Sequence, residues 1–254
     1  MDTLLHRTGH PAAIRMMLLN KTDELRSQEP AALLFRPGRP GYPAERVALA
    51  MAHEARFHLV IVDEHMRWFR HLHPELLPDG AYRVAVDFPH GGSYTLFAGY
   101  RPESHPPVTD KLSIQVKGAG PADAEEPGQR LTASVDGLTA GIVAERPFRS
   151  GSASYIPVNI IKDGTLLRGR DLAPYLGAVA HIILISKAGK EFLHIHPMAD
   201  AQHSIMAHTV FPRPGIYRMW VQFKTGQDLH TADFTLDVQA GKAAGHDRAG
   251  RHRH

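Results

Sequence analysis

The sequence predicts an all-β protein built from two copies of one antiparallel domain, and three observations support this fold class. Residues 57–75 and 180–198 superpose without a gap at an offset of 123 positions. In both copies apolar side chains alternate with polar ones, as at 82–88 and 217–223, which is typical of half-buried strands. Turn-forming pairs such as Asp79-Gly80 separate these runs, and short strands at this spacing favour a sandwich over βαβ units.

The repeat places identical residues at matching positions of the two copies. The identities in the aligned segments include His58 with His181, Phe69 with Phe192, His71 with His194, His73 with His196, and Pro74 with Pro197. The same offset aligns Tyr94 with Tyr217, and a slip of one residue then aligns Leu112 with Phe234. A match of this length indicates a duplicated domain.

Composition predicts the domain boundaries. We expect a first domain at 10–118, a linker at 119–129, a second domain at 130–239 and a disordered tail at 240–254. The segment around the linker is rich in Gly, Pro, Ala and charge and contains no large apolar residue, which is typical of a linker. The tail has a similar composition, and its histidines, His246, His252 and His254, could bind metal weakly.

A further sequence feature favours sandwiches of the immunoglobulin-like or cupredoxin-like type. Gly92-x-Tyr94 and Gly215-x-Tyr217 resemble the tyrosine corner, in which the hydroxyl of a strand Tyr bonds back to the backbone of the preceding corner. The alternative is an ordinary buried Tyr, which the recurrence at the repeat offset disfavours. The chain has no Cys, so such domains would be stable without a disulfide.

Composition also excludes several classes of protein. With 254 residues, 43% hydrophobic and 22% charged, the chain is globular rather than disordered, collagenous or coiled-coil. Its formal charge of +3 does not favour nucleic acid as a partner. Apolar stretches such as 178–185 are far shorter than the about 20 residues that span a membrane. Arg15 interrupts the N-terminal apolar run, so we predict no signal peptide and a cytoplasmic location by default.

Histidine is the unusual component, with 18 residues. In a strand, residues i and i+2 point to one face, so His71-x-His73 and His194-x-His196 each present two imidazoles side by side. A third histidine, His58 or His181, opens the preceding apolar strand in each copy. The connection between the two strands has the length of a hairpin loop.

The register of this hairpin decides whether the third histidine joins the pair. If His58 lies opposite His73, all three imidazoles of the first copy share one face and form a site with an open fourth position. The same holds for the second copy if His181 lies opposite His196. A slip of one residue turns the third histidine to the other face, and the sequence leaves both registers open.

The sequence therefore predicts a metal site in each copy. Imidazole suits copper, zinc and nickel, and thioether sulfur favours Cu(I), so copper is the expected cofactor and zinc the alternative. Glu75 offers a harder oxygen donor in the first copy. The expected metal ligands are His58, His71, His73, His181, His194, His196 and Met198. The competing interpretation is that these histidines are structural hydrogen-bonding groups and that Met198 is packing.

The second copy resembles a family of bacterial proteins. Residues 174–178 (PYLGA), His181 and the run 192–197 (FLHIHP) are similar to the PYLGAxGHxV…LHVHP pattern of that family, with Ala180 in place of its Gly. The first copy resembles the companion half, so the resemblance covers about residues 45–238. It implies tandem sandwiches in secreted or membrane-anchored proteins associated with copper or other heavy metals, and therefore an extracytoplasmic location.

Three classes of function stay open. The leading hypothesis is a metal-binding protein that stores, buffers or delivers copper, with a metal-transport or resistance protein as its partner. The second is an immunoglobulin-like interaction module whose histidines are structural. A cupin-like metalloenzyme fits poorly, because Glu75 follows His73 by only two residues and Met198 stands at the matching position. No Ser-His-Asp order, phosphate-binding glycine loop or paired-carboxylate pattern occurs, so we predict that the protein is not an enzyme.

Limited proteolysis tests the two-domain organisation. Cleavage is expected first within 117–130, because that segment has the composition of a linker, and should leave two resistant fragments in a mass spectrum. A single resistant core, or early cleavage inside either repeat, would contradict the prediction.

Overall fold

Strands make up almost all the regular structure of this chain. The computed structural model describes residues 13–20, 24–41, 46–52, 54–122, 128–195, 197 and 200–241. Within these residues it contains eighteen strands and no α-helix, with a 3-10 turn at Gly169–Asp171. The predicted all-β fold is therefore confirmed.

The chain divides into two compact units, residues 1–124 and 125–254. In its described part the first unit has eight strands, which form two four-stranded sheets, β1-β2-β6-β5 and β4-β3-β7-β8. They are β1 (Arg15–Leu18), β2 (Pro30–Gly38), β3 (Phe57–Asp63), β4 (Phe69–Leu72), β5 (Glu75–Leu76), β6 (Tyr82–Asp87), β7 (Gly92–Tyr100) and β8 (Val108–Val116).

The second unit has ten strands in its described part. They are β9 (Thr132–Val135), β10 (Leu138–Ile142), β11 (Phe148–Arg149), β12 (Ala153–Lys162), β13 (Thr165–Leu167), β14 (Ala180–Ser186), β15 (Phe192–Ile195), β16 (Ile205–Val210), β17 (Gly215–Thr225) and β18 (Asp228–Gln239). One sheet has the order β13-β12-β10-β9, with β16 also paired to β12, and the other has the order β11-β18-β17-β14-β15.

The two units repeat the same topology. β3 and β14, β4 and β15, and β6 and β16 begin and end at residues 123 positions apart. Corresponding strands also have corresponding partners, since β4-β3-β7-β8 matches β15-β14-β17-β18 and β2-β6 matches β12-β16. The internal repeat seen in the sequence is therefore a repeat of the fold.

Each unit is a sandwich, because side chains from the facing surfaces of its two sheets form one core. In the first unit Phe35 of β2 and Tyr82 of β6 meet Phe57 of β3 edge to face, with ring centroids 5.2 and 5.7 Å from that of Phe57. Burial of one such Phe stabilises the fold by about 1.5–3 kcal/mol. At the aligned positions of the second unit, Val158 and Ile205 belong to the equivalent core.

Both units contain the predicted tyrosine corner. The hydroxyl of Tyr94 donates to the carbonyl of His90 at 2.7 Å, and the hydroxyl of Tyr217 donates to the carbonyl of Arg213 at 3.0 Å. Burial raises the pKa of Tyr94 to about 12, so the hydroxyl keeps the proton that it donates. The two hydrogen bonds fix the same corner of the two sandwiches.

Three strands depart from the half-buried pattern. The half-buried strand predicted at 217–223 was wrong, because all seven of these residues of β17 are buried and the polar Arg218 and Gln222 are covered while hydrogen-bonded to β18. All seven residues of β3 and all seven of β14 are buried, so both faces of these strands are covered. This explains why their sequences are continuous apolar runs, since a strand buried on both faces does not alternate. His58 and His181 are the second residues of these strands and are 7% and 0% exposed.

The predicted linker and tail are described only in part. Residues 119–122 contain no strand, and the Gly91 N–H donates to the carbonyl of Ala119 at 2.6 Å. Residues 10–12, 123–127 and 242–254 lie outside the described residues. The boundaries at 10–118, 119–129 and 130–239 stay predictions.

A buried carboxylate joins the two sheets of the first unit. Asp110 of β8 accepts hydrogen bonds from the Met16 N–H at 2.7 Å and from the Tyr100 hydroxyl at 2.6 Å. Arg15 donates to its other oxygen at 2.7 Å, but the Arg15 side chain is 58% exposed and this pair adds little. The contact to Met16 fastens β1 of one sheet to β8 of the other.

The Asp110→Ala substitution should lower the free energy of unfolding of the first unit by about 1–3 kcal/mol, because it leaves the buried Met16 N–H without its acceptor and leaves the Tyr100 hydroxyl only the Ile14 carbonyl at 3.2 Å. Urea denaturation gives the magnitude, and hydrogen–deuterium exchange in β1 assigns the loss to this unit. The matched control is Asp87→Ala at an exposed position of β6, which should change stability by less than about 0.5 kcal/mol. Equal effects of the two variants would refute the role of Asp110.

Candidate metal centre

The first copy adopts the register that brings its three histidines to one face. In the β3–β4 ladder, Leu59 pairs with Leu72 and Val60 pairs with His71. One step further along this register, His58 stands opposite His73. Leu59 belongs to the core and Leu72 packs against it, so the histidines lie on the other face of the sheet.

The ring nitrogens of the three histidines converge. His58 Nδ1 lies 3.4 Å from His71 Nε2 and 3.2 Å from His73 Nε2. One nitrogen from each of the three rings lies within 4.8 Å of the other two. His71 is 8% exposed and His73 is half-buried, so the group is largely shielded from water.

A backbone carbonyl sets the tautomer of His58. Its Nε2 lies 3.0 Å from the carbonyl oxygen of Ala52. A carbonyl can only accept, so Nε2 carries the proton and donates it. In the neutral ring the lone pair then belongs to Nδ1, which is the nitrogen that faces His71 and His73. Hydrogen bonding of this kind orients the imidazole ligands of many metal sites.

The carbonyl of Ala52 is itself held by a tight turn. The Ala52 N–H donates to the carbonyl of Ala55 at 2.8 Å, and the Ala55 N–H donates back at 3.1 Å. Glu54, inside this turn, has φ of +60°, the left-handed region in which non-glycine residues are uncommon. The turn therefore presents a fixed acceptor to His58.

The second copy repeats the turn and the histidine contact. His181 Nδ1 lies 3.1 Å from His194 Nε2, and His181 Nε2 lies 2.9 Å from the carbonyl of Tyr175. Tyr175 and Ala178 exchange two backbone hydrogen bonds, and Leu176 and Gly177 between them have φ of +48° and +74°. Tyr175 aligns with Ala52 at the repeat offset, so both copies hold this imidazole in the same way.

The remaining ligands predicted for the second copy lie outside the described residues. These are His196 and Met198. The β14–β15 ladder pairs Ile182 with Ile195, which is the register of the first copy moved by 123 positions. The parts of this site that are described are His181 and His194, and the participation of His196 and Met198 stays a prediction.

The spacing of the nitrogens suits a shared cation. Ligands about 2.0–2.1 Å from a tetrahedral ion stand about 3.3–3.4 Å apart, close to the separations of 3.2 and 3.4 Å at His58. The single lone pair of His58 Nδ1 can accept one hydrogen bond, but the Nε2 atoms of both His71 and His73 lie close to it. One hydrogen bond therefore does not account for the approach of all three nitrogens, whereas a shared cation does. Three nitrogen donors with no thiolate match the preferences of copper and zinc.

Glu75 does not join this group. The chain leaves β4 after Leu72, and Glu75 begins β5, which pairs with β6 in the other sheet. The convergent group found among the described residues consists of three histidines alone. The sequence interpretation of Glu75 as an oxygen donor was therefore wrong, because Pro74 lies where the chain passes from one sheet to the other.

His230 has structural contacts in the second unit and is not part of either histidine group. It is buried, its Nδ1 is 2.8 Å from a carboxylate oxygen of Asp136, and its Nε2 is 2.7 Å from the Thr225 hydroxyl. These contacts join the β17–β18 hairpin to the β9–β10 turn. His230 therefore has a structural role in the second unit.

The two carbonyl-presenting turns are parts of the sites that the histidine pattern did not predict. A signal was available in the Leu176-Gly177 pair, since Gly in a two-residue turn favours positive φ. The turns matter because they select which ring nitrogen of His58 and His181 can bind a cation.

The chain belongs to a protein family described as Domain of unknown function (DUF8832), which matches residues 16–118 and again 133–240. The two matches reproduce the repeat of the fold. A search of curated proteins finds no sequence that matches this chain. No helix in the described ranges is both long and apolar enough to cross a membrane.

The solved structures to which the chain is similar include proteins with tandem repeats or fibronectin type-III modules. A tetra-tandem repeat from the extending region of a large adhesion protein is 13% identical, with 89% of this chain and 50% of that chain covered and a TM-score of 0.30. The fibronectin(III)-like modules of Clostridium thermocellum CbhA are 8% identical, with coverage of 94% and 99% and a TM-score of 0.25. A two-domain fibronectin type-III segment of chicken tenascin is 12% identical, with coverage of 89% and 98% and a TM-score of 0.23. The chain thus spans half the length of the adhesion-protein structure, and scores this low carry no information on function.

Long-range ¹H–¹⁵N correlation spectra of the metal-free protein test the tautomers. His58 and His181 should both carry the proton on Nε2 at neutral pH, because each Nε2 faces a carbonyl oxygen. Assignment by His58→Gln and His181→Gln identifies the two signals. An Nδ1–H tautomer at either residue would contradict the proposed role of its turn.

Proposed function

We propose that this protein binds copper through a three-histidine site in each domain and stores, buffers or delivers the ion. The observation that carries the proposal is the convergence of His58, His71 and His73, whose ligand nitrogens lie within 4.8 Å of one another. Three imidazoles leave a fourth position for an exchangeable ligand. An incoming donor from a metal-transport or resistance protein could attach there before the ion leaves.

The choice of copper rests on the donor set and its surroundings. Sites built from nitrogen bind Cu(II) more tightly than Zn(II) in the general order of divalent affinities. The site also lies beside buried apolar residues of β3, including Val60 and Val62 on the face of His58. The cost of burying an ion rises steeply with its charge, so a buried neutral site favours Cu(I) over a divalent ion.

We further propose binding without catalysis. The three imidazoles are assigned to the ion, and the sequence contains no recognisable nucleophile–base or paired-carboxylate pattern. The resemblance to copper-associated bacterial proteins supports the same role. Met198 would add a soft ligand in the second domain and strengthen its preference for Cu(I).

Metal stoichiometry tests the proposal. In all samples His246, His252 and His254 are replaced by Gln, so that the tail does not contribute. The parent should hold two copper ions per chain at neutral pH, and His71→Gln or His194→Gln should each hold one, as measured by mass spectrometry after gel filtration. Each substitution should also weaken its own site at least about tenfold against a Cu(I) chelator.

The control is His208→Gln, which changes an exposed histidine whose ring centroid lies 4.9 Å from that of Tyr155 and should keep both ions. Because the ligands must be neutral, copper occupancy should fall as the pH is lowered through about 6.5. No bound copper in the parent, or equal loss in all three variants, would overturn the proposal and favour an interaction module with structural histidines.

A further inference from the structure

The first unit contains a cavity of about 310 Å³. None of the three metal-site histidines is among its lining residues. Its walls come from the end of β2, from residues 46–49, from Arg56 and from the turn between β5 and β6. This volume is at the lower end of the range of about 300–1,000 Å³ for small-molecule sites. The polar side chains that line it are those of Arg36, Arg46, Arg56, Asp79 and Tyr82.

The cavity carries an excess of positive charge. Three guanidinium groups line it against the single carboxylate of Asp79, which pairs with Arg36 at 2.7 Å. Arg56 donates to the carbonyl of Leu49, which holds its side chain at the wall. The Nε of Arg36 is buried and has no hydrogen-bond partner in the described part of the chain. Hydrogen-bond donors therefore outnumber acceptors around this space.

Tyr82 adds a hydroxyl to the same wall. The residue is 2% exposed, and no described group forms a hydrogen bond with its hydroxyl. Burial raises the pKa of Tyr82, and the nearby Arg56 cation opposes this rise. The hydroxyl is therefore a neutral donor at physiological pH. The hydroxyl lines the cavity, where it can donate to a ligand that accepts.

The second copy shows that the fold does not require these groups. At the repeat offset, Arg36, Arg46, Arg56 and Tyr82 correspond to Asn159, Gly169, Val179 and Ile205. The second unit forms the equivalent strands and core with none of the three cations and without the hydroxyl. The donor set of the first copy is thus an addition to the common sandwich.

The remaining wall is apolar. Val47, Leu49 and Leu76 line it; Leu49 is buried in the core, Val47 is partly buried and Leu76 is 54% exposed. An inorganic anion would leave Val47 and Leu76 facing water, whereas a hydrocarbon body would cover them. The cavity is too small for more than a single ring or a short chain.

We propose that this cavity binds a small organic carboxylate with an apolar body, its anionic group held by Arg46, Arg56 and Tyr82. Guanidinium groups match the geometry of a carboxylate, and charge-assisted hydrogen bonds are about twice as strong as neutral ones. Leu49 and Leu76 would contact the apolar body. This site is independent of the metal sites and of the proposed copper function.

Titration of the full chain with benzoate, followed by ¹H–¹⁵N correlation spectra and calorimetry, tests this site. We expect saturable binding with a dissociation constant of about 1 mM or below and shifts confined to the cavity residues. Arg46→Gln should weaken binding about tenfold, and Tyr82→Phe about threefold to tenfold. Tyr82→Phe keeps the ring that packs on Phe57, so it tests the hydroxyl alone.

The controls are one neutral probe, one inorganic anion and one variant. Benzamide, which has the shape of benzoate without its charge, and inorganic phosphate, which has no apolar body, should both bind more weakly than benzoate. Arg170→Gln removes an arginine that is 85% exposed in the second unit and should leave benzoate affinity unchanged. Binding of benzamide or phosphate as tight as that of benzoate would overturn the proposal. So would the absence of saturation by benzoate, or an Arg46→Gln affinity equal to that of Arg170→Gln.

Discussion

The register of one hairpin determines the candidate metal centre in each domain. In the first copy the pairing of Leu59 with Leu72 brings His58 opposite His73, and His71 then falls on the same face. A slip of one residue would turn His71 and His73 towards the core and would move Leu72 out of it. Trp68 and Leu72 both pack against the core, so their burial opposes that slip. The same apolar packing that stabilises the sandwich therefore positions the imidazoles.

A second constraint acts on the rings themselves. Two strained turns, at 52–55 and 175–178, each present a backbone carbonyl to the Nε2–H of a buried histidine. The carbonyl fixes the ring orientation and leaves Nδ1 directed at the neighbouring histidines. Because the acceptor is backbone, the side chains of the turn can vary, and the two copies have Glu54 and Gly177 at aligned positions. The two copies thus share the contacts of this histidine with its turn and with the first histidine of the next strand, whereas the arginines of the cavity belong to the first copy.

Much of this structure was predictable because its signals are local and repeated. The 123-residue offset predicted the duplication, and the tyrosine corners at Tyr94 and Tyr217 predicted the sandwich corners. The hairpin register was not predictable, because it depends on how Trp68 and Leu72 pack against a core formed by distant strands. The sheet change after Pro74 was missed for the same reason, and it removed Glu75 from the site. Gly177 marks the position of the second turn, but the contribution of both turns to the sites was not predictable, because it is made by a main-chain carbonyl.

The central claim is that three imidazoles of one hairpin coordinate one copper ion. X-ray absorption spectroscopy of the copper-loaded chain, with the tail histidines replaced and His194 changed to Gln so that the first site alone is filled, tests it most directly. The account predicts about three nitrogen scatterers near 2.0 Å with the outer-shell pattern of imidazole rings. A first shell of oxygen alone, or one without imidazole scattering, would contradict it.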